Sequence, residues 1–400
     1  MSWPRDEAKL ERVRELMAAQ DLDALVVRAP DNVLYLTNYW CMKGYDAAVF
    51  PREGEPTLIA LAPQEQEARE TAWTGDVRTF AGYHESDPRP PQARSLERCL
   101  EVLRERDLGR RVGLELSQGT QAVDRMAGEP TTFSQNWFGG FAHDAGEVVD
   151  ASGLIAQARM IKTDQEVERI RLAGELAKLA MEHVVQRVRP GMREAEVGAL
   201  FEGFVHATGI GYRDKVRYAR AFTLVWSGPG IRTFTATGHR PVCEHEPTLL
   251  EIWVVVDGYW IDLTKNLCPG RLEARYERLL EQLLAVQAEA VDLARDGGPL
   301  SEIDRTIRAR LSEAGYPGQP SHPVCHGVGA RAHEPPFSHV AGDGEIRERM
   351  VLSIEPGVYW EGGGGLRVED CHLVGPPGSP AEMLCGYPDD FRTPSQEASR

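Results

Sequence analysis

The chain has 400 residues, of which 42% are hydrophobic and 26% are charged. This length and balance provide an ample core, favour two or three globular domains and exclude a repeat or low-complexity protein. The formal net charge of -16 excludes a basic surface of the kind that binds nucleic acid.

The start of the chain and the cysteines bear on location. Residues 1–17 lack the apolar core of a secretory signal, and no stretch approaches the roughly eighteen apolar residues of a membrane span. The seven cysteines are odd in number and contain no CxxC pair, so they indicate neither a disulfide framework nor a zinc ribbon. We therefore expect a cytoplasmic protein with reduced thiols and no membrane partner.

Helical and strand patterns alternate through the first third of the chain. Leu10, Val13 and Met17 have helical spacing, and a short apolar strand follows them at 25–27. The alternation continues with strands at 57–61, 77–80 and 112–116 and helices at 64–71 and 92–106. Such alternation predicts an α/β domain with a central sheet, which we assign to residues 1–158. We find no catalytic cluster in it.

A second domain is predicted over residues 159–400. Thr163 and Glu166 form a capping box that opens a long helix, and Pro190 ends it. Further helices are expected at 194–208 and 272–295, with a strand at 222–226, and Ser301 is expected to cap a helix that runs to Ala314. From His322 onward the pattern is glycine-rich strand and loop, which makes this domain α+β.

The apolar stretch 249–265 is the centre of the second domain. It reads as two strands joined at Asp257–Gly258, a strong hairpin signal, and each strand carries one acid, Glu251 or Asp262. A two-residue turn sets Trp253 opposite Asp262 and makes the two acids diagonal neighbours on one face. Two like charges inside apolar strands suggest a metal between them.

Other acids and histidines fall in short clusters. His326 and His333 occur in CHGVGARAHEPP, Glu355 in LSIEPGVY, and Glu369 in GGLRVED, while His239 lies in a loop before the hairpin. Four carboxylates and one imidazole supply an oxygen-rich site with one nitrogen. This donor set suits a pair of divalent ions such as Mn²⁺, Co²⁺ or Zn²⁺ with bridging carboxylates.

The order of these motifs resembles the creatinase, prolidase and aminopeptidase P family, the "pita-bread" enzymes. The shared features are two acids eleven positions apart, HGVG with a second histidine seven positions on, SIEPGVY and RVED. The resemblance covers nearly the whole chain, because residues 22–37 and 159–191 also match. It implies a creatinase-like α/β N-terminal domain followed by an α+β pita-bread catalytic domain.

The resemblance also implies a role for each motif residue. Arg367 would support the metal-binding acids, Glu355 would move the proton of an activated water to the leaving nitrogen, and His333 and His239 would hold the substrate carbonyl and its oxyanion. The metal ligands that the resemblance implies are Glu251, Asp262, His326, Glu355 and Glu369.

Three positions depart from the family pattern. Glu251 stands where the family has aspartate, His239 lies closer to Glu251 than usual, and Lys265–Asn266 replace the usual Arg-Thr. These residues also have purely structural interpretations. The acids can form salt bridges on their strands, the histidines can be packed in the core, and His239 can be an ordinary loop residue. All five ligand positions nevertheless keep side chains able to bind a metal.

The resemblance implies a dinuclear metallopeptidase that hydrolyses Xaa-Pro bonds, foremost an Xaa-Pro dipeptidase (prolidase). Alternatives are an aminopeptidase P acting on longer Xaa-Pro peptides, a metal-independent creatinase-like C–N hydrolase, and an inactive pita-bread domain used for binding. The expected partner is a small peptide with proline at its second position, and relatives of this size imply a homodimer.

Overall fold

The chain divides into two units, Met1–Arg159 and Met160–Arg400, next to the boundary expected from the sequence. A computed structural model describes residues 3–42, 44–116, 138–233, 235–360 and 364–389.

The first unit is built on a six-stranded mixed sheet with the strand order β4-β3-β2-β1-β5-β6. Strand β1 pairs antiparallel with β2 and parallel with β5. The strands are β1 Ala24–Val27, β2 Ala47–Pro51, β3 Thr57–Leu61, β4 Asp76–Phe80, β5 Arg111–Leu114 and β6 Glu147–Asp150. The helices are α1 Glu7–Ala19, α2 Pro30–Thr37, α3 Glu65–Thr71, α4 Pro91–Glu105 and α5 Ser152–Met160.

Apolar side chains cover both faces of this sheet. Leu25 and Val27 belong to one buried cluster, which also contains Leu10 of α1. Val26 belongs to a second cluster with Leu103 of α4. Successive strand residues therefore point to opposite faces, as the period of a strand requires. The α/β organisation predicted for this part of the chain is confirmed.

The second unit contains three antiparallel sheets, with the strand orders β7-β8-β9, β11-β10-β12-β15-β16 and β13-β14. Helices α6 and α7 contact the first of these sheets, and α8 and α9 bury their apolar sides against the second. The helices are α6 Asp164–Arg187, α7 Glu194–Gly209, α8 Ala274–Leu293 and α9 Leu300–Glu313. The strands are β7 Ala219–Ser227, β8 Thr248–Val256, β9 Tyr259–Leu267, β10 Cys325–Gly327, β11 Glu334–Phe337, β12 Val351–Ile354, β13 Gly357–Trp360, β14 Gly364–Arg367, β15 Asp370–Leu373 and β16 Glu382–Met383.

The hairpin of β8 and β9 has the predicted register. Trp253 faces Asp262, while Glu251 faces Thr264, so the two acids are diagonal neighbours on one face. Asp257 and Gly258 adopt positive φ angles of 44° and 85°. Such angles at both central residues match the right-handed twist of the flanking strands, which explains why Asp-Gly is a strong hairpin signal.

The starts of α6 and α9 compare differently with prediction. The capping box of Thr163 and Glu166 is present at α6. The predicted cap of α9 by Ser301 is wrong, because the helix begins at Leu300 with Pro299 as its N-cap. Pro299 holds an extended conformation and has no side-chain acceptor, and the Gly344 and Pro299 carbonyls accept the N–H groups of Leu300 and Glu302.

All seven cysteines are free thiols. Within the described ranges, no helix combines the length and the apolar composition needed to cross a membrane.

Candidate metal centre

The five predicted ligands come from two sheets of the second unit. Strands β8 and β9 carry Glu251 and Asp262, and β10 carries His326. Glu355 directly follows β12, and Glu369 directly precedes β15. Each ligand therefore lies on a strand or at a strand end, where backbone hydrogen bonds hold its Cα.

Two groups of potential ligands share His326. The first contains Asp262, His326 and His333, and the second contains His326, Glu355 and Glu369. In each group one ligand atom from every residue lies within 4.8 Å of the others. Side chains about a hundred positions apart in sequence are therefore brought to one place.

His326 is oriented by its own backbone neighbour. Its Nδ1 lies 3.0 Å from the Gly327 carbonyl oxygen, which fixes that nitrogen as the donor. Its Nε2 lies 3.5 Å from Glu355 Oε1 and 3.8 Å from Asp262 Oδ2. A histidine held in this way presents its acceptor nitrogen to a cation.

His333 lies beside the same acids. Its Nε2 is 3.5 Å from Asp262 Oδ2, and its ring centroid is 4.4 Å from that of His326. The family resemblance implies that His333 contacts the substrate carbonyl rather than a metal. Its position at the rim, about a fifth exposed, is compatible with either contact.

Hydrogen bonds hold both carboxylate oxygens of Glu369. Its two oxygens accept hydrogen bonds from the Thr264 hydroxyl at 2.6 Å and the Ser353 hydroxyl at 2.7 Å. Burial works against ionisation of this carboxyl, but the Arg367 guanidinium and the Thr264 hydroxyl hold its pKa below the usual range. Glu369 is thus kept as a carboxylate.

Glu355 has the opposite electrostatic character. Burial, followed by the neighbouring Glu369 carboxylate, raises the pKa of Glu355 well above its usual range. Two like charges that are close together in a buried place cannot both ionise without a compensating cation. Glu355 therefore holds a proton more readily than Glu369 does.

Glu251 forms an ion pair with Arg367. The Arg367 Nη2 atom lies 2.9 Å from Glu251 Oε2, and Arg367 Nε lies 3.4 Å from Glu369 Oε2. Among the described residues, Glu251 belongs to neither group of potential ligands. Its extra methylene, compared with aspartate, allows the carboxylate to reach the guanidinium.

Two further residues at the site had no role in the sequence analysis. His322 Nδ1 lies 3.4 Å from Glu355 Oε2, and His322 Nε2 lies 3.2 Å from the Tyr359 hydroxyl. Burial, and then the positive charge of Arg367, lower the pKa of His322 to about 3, so the ring is neutral. Their positions in the sequence could have indicated both residues, because His322 lies four residues before His326 and Tyr359 lies four residues after Glu355.

His239 lies away from the ligand groups, and no contact with them is seen among the described residues. It is exposed on the loop after residue 234 and belongs to neither ligand group of the described chain. Its predicted role stays a prediction.

The donors at this place fit a divalent metal. Asp262, Glu355 and Glu369 are buried acids grouped around His326, and buried like charges are stabilised by a cation between them. Carboxylate oxygens with an imidazole nitrogen suit Mn²⁺, Co²⁺ or Zn²⁺. Residues able to hold an ion are therefore Asp262, His326, Glu355 and Glu369, with His333 beside them.

Aromatic side chains form one wall next to these donors. Trp253 stacks on Phe222 of the neighbouring strand with 5.6 Å between ring centroids, and Trp253 is 6.4 Å from His333. Trp253 is fully buried and Phe222 is half-buried, so of these two rings Phe222 offers the apolar surface that can hold the hydrocarbon part of a substrate while its polar group faces the donors.

Comparison with known protein families matches both units. Residues 168–376 match the model of metallopeptidase family M24, and residues 9–161 match the creatinase/prolidase N-terminal domain. The M24 match spans more than half of the chain and includes every predicted ligand.

Individual relatives and solved structures agree with these matches. An Xaa-Pro dipeptidase of Lactobacillus delbrueckii subsp. lactis is 25% identical over 373 residues, covering 91% of this chain and 94% of that protein. The prolidase structure from Pyrococcus horikoshii is 21% identical, covers 96% of this chain and 100% of its own, and has a TM-score of 0.77. The Xaa-Pro dipeptidase structure from Bacillus anthracis is 21% identical, covers 97% and 99%, and has a TM-score of 0.79.

Proposed function

This chain belongs to metallopeptidase family M24, and from that premise we propose that it hydrolyses Xaa-Pro dipeptides with the help of two divalent ions. The observation that carries the proposal is the pair of ligand groups that share His326. The relative named Xaa-Pro dipeptidase, alike over nearly its full length, supports the substrate class.

The ions, when bound, supply an activated water and polarise the scissile carbonyl. Sites for two of them are supported by the three buried carboxylates of Asp262, Glu355 and Glu369 and by His326. Asp262, His326, Glu355 and Glu369 are the residues that would hold these ions. Manganese, cobalt and zinc all suit this donor set.

Glu355 is proposed to carry the proton. Its Oε1 lies 3.5 Å from His326 Nε2, within the donor cluster, where a carboxylate can accept a proton from the attacking water and give it to the leaving nitrogen. The neutral ring of His322 donates from Nδ1 to the Pro323 carbonyl at 2.7 Å and packs beside that carboxyl, 3.4 Å from Glu355 Oε2.

His333 is proposed to act on the substrate carbonyl. Its Nε2 faces the donor cluster from the rim, so an N–H there donates to the oxygen that becomes negative during attack. His239 is proposed as a second, outer contact to the substrate. Arg367 lies among three carboxylates, those of Glu251, Glu355 and Glu369, and offsets part of their charge.

A proline pocket follows from the chemistry of the substrate. The proline nitrogen of an Xaa-Pro bond carries no N–H, so the enzyme cannot hold that nitrogen through a hydrogen bond. The half-buried ring of Phe222, which packs on the fully buried Trp253, is proposed to contact the apolar ring of the proline instead.

The second candidate is an aminopeptidase P acting on longer Xaa-Pro peptides, since it needs the same donors. The metal-independent C–N hydrolase is not favoured, because the buried acids around His326 are retained. A cytoplasmic location and a homodimer complete the proposal. Seven free thiols support the first, and only the family resemblance supports the second.

A substrate panel tests the proposal. Purified protein, stripped of metal and reloaded with Mn²⁺, is given Ala-Pro, Ala-Pro-Ala, Ala-Ala and creatine. Cleavage of Ala-Pro foremost supports the dipeptidase, and stronger cleavage of Ala-Pro-Ala supports the aminopeptidase. Turnover of creatine by the stripped protein, or no turnover of any Xaa-Pro peptide, contradicts the proposal.

A further inference from the structure

The two sheets that supply the metal donors contact each other along a seam between β9 and residues 367–371. Strand β9, with Asp262, belongs to the three-stranded sheet, and Glu369 precedes β15 of the five-stranded sheet. The backbones form one isolated bridge, in which the Thr264 N–H donates to the Glu369 carbonyl at 3.3 Å. Side chains make the remaining contacts of this seam.

These side-chain contacts keep the register of an antiparallel ladder. On one side of the bridge, the Asn266 side chain donates to the Arg367 carbonyl at 2.7 Å. On the other side, the Cys371 thiol donates to the Asp262 carbonyl at 3.1 Å and accepts from the Asp262 N–H at 3.4 Å. The partners step by two residues in opposite directions, as paired strands do.

The register of the seam decides how far apart two donors lie. Asp262 and Glu369 are one step apart across it, so a shift of either strand changes the separation of their carboxylates. Metal geometry tolerates only a few tenths of an ångström in ligand distances. A device that fixes the seam therefore fixes the metal site.

A buried ammonium group lies on the other face of the seam. Lys265 Nζ donates to both oxygens of Asp370 at 2.8 Å and to Asp389 Oδ2 at 2.9 Å. These contacts satisfy all three donors of the ammonium. Lys265 and Asp370 are at most 1% exposed, so their charges depend on each other rather than on water.

Asp389 brings the C-terminal segment into this arrangement. Strand β16 pairs with β15, and the chain then continues to Asp389, whose side chain is 5% exposed. Lys265 neighbours Thr264 in β9, and Asp370 neighbours Glu369. The ion group therefore ties together the two strands that carry the donors, and the C-terminal segment closes it.

We infer that Lys265 and Asp389 are positioning residues, which fix the register of β9 against residues 367–371 and thereby set the metal affinity of the site. This inference rests on the proposed function. Asp389 is the better residue to change, because its loss leaves Lys265 paired with Asp370. Loss of Lys265 leaves two buried carboxylates without a cation.

The test is a titration of metal-free protein with Co²⁺, followed by the visible absorption of the bound ion. Two variants are compared. Asp389→Asn removes the carboxylate, and Asp389→Glu keeps a carboxylate at this position. Glu382→Gln is the matched control, because Glu382 pairs with Arg171 at the exposed surface of the same C-terminal segment. The unfolding midpoint of every metal-free variant is measured in parallel.

We expect Asp389→Asn to bind Co²⁺ about 10-fold more weakly, with an altered spectrum, as changes behind metal ligands typically do. Asp389→Glu restores most of the affinity, and Glu382→Gln binds as the parent does. A wild-type affinity and spectrum for Asp389→Asn overturn the inference, even if its unfolding midpoint falls. If Asp389→Asn does not fold, Lys265→Arg is titrated in its place. Weaker Co²⁺ binding with an altered spectrum then supports the inference, and a wild-type affinity and spectrum overturn it. A parent protein that binds no Co²⁺ overturns the proposed function itself.

Discussion

The guanidinium of Arg367 lies 2.9 Å from the carboxylate of Glu251. Glu251 is the residue that stands where the family has a metal-binding aspartate. Arg367 is 3% exposed, so this charge is compensated by neighbouring carboxylates rather than by water. The extra methylene of Glu251 thus ties a predicted ligand to a buried cation.

Glu251→Gln is expected to destabilise the protein by about 3 kcal/mol, the lower end for a broken buried ion pair, because Glu369 still faces Arg367. Denaturant unfolding of the metal-free protein measures this change. Glu251→Asp keeps the charge but shortens the side chain, and a smaller loss is expected. Wild-type stability for Glu251→Gln would mean that the ion pair contributes nothing.

His322→Gln is expected to lower kcat for Ala-Pro by about 10- to 100-fold, because it removes the ring that contacts both Glu355 and Tyr359. His206→Gln, an exposed change on α7, is the control. Burial lowers the pKa of His322 to about 3, so the ring is neutral above pH 5. The dependence of kcat on pH in that range is therefore expected to have the same shape in His322→Gln as in the parent protein. Unchanged kcat would remove His322 from the account.

His333→Ala and His239→Ala compare the two histidines assigned to the substrate. His333 faces Asp262 at 3.5 Å, whereas His239 is exposed on its loop. We expect His333→Ala to lower kcat by about 100-fold or more, the usual cost of losing an oxyanion donor. His239→Ala is expected to cost less than that. Equal losses would show that both reach the substrate.

Glu115 gives a pH dependence outside the metal centre. This buried carboxyl accepts the N–H groups of Arg28 and Ala29, yet burial raises its pKa to about 7. A pKa raised in the folded state means that folding takes up a proton between the two pKa values, so stability falls as pH rises from about 4.5 to about 7. The loss amounts to about 3 kcal/mol. Glu115→Gln is expected to lack this slope in urea unfolding at pH 5 and pH 8. An equal slope in both proteins would contradict the assignment.

The sequence predicted the hairpin well because local rules decide it. Asp257–Gly258 permits only a narrow set of turns, and the turn then fixes which residues face each other. The capping box at Thr163 is local in the same way. The start of α9 was predicted wrongly because backbone carbonyls, one of them from the distant Gly344, accept N–H groups of its first turn in place of a serine side chain.

Contacts between sheets could not be predicted from the same rules. The pairing of Glu251 with Arg367, and of Lys265 with Asp389, joins residues more than a hundred positions apart. Strand periodicity places each residue on a face but does not say which strand of another sheet lies opposite. His322 was passed over for this reason, since its contacts to Glu355 and Tyr359 exist only after the strands have packed.

The most direct test of the central claim counts bound ions while it measures turnover. Metal-free protein is titrated with Mn²⁺, and Ala-Pro hydrolysis is followed together with the bound ions per chain, for the parent and for His326→Ala. We predict that turnover of the parent rises with occupancy to two ions per chain, and that His326→Ala loses both binding and turnover. Full turnover by the stripped protein, or unchanged binding by His326→Ala, would contradict the account.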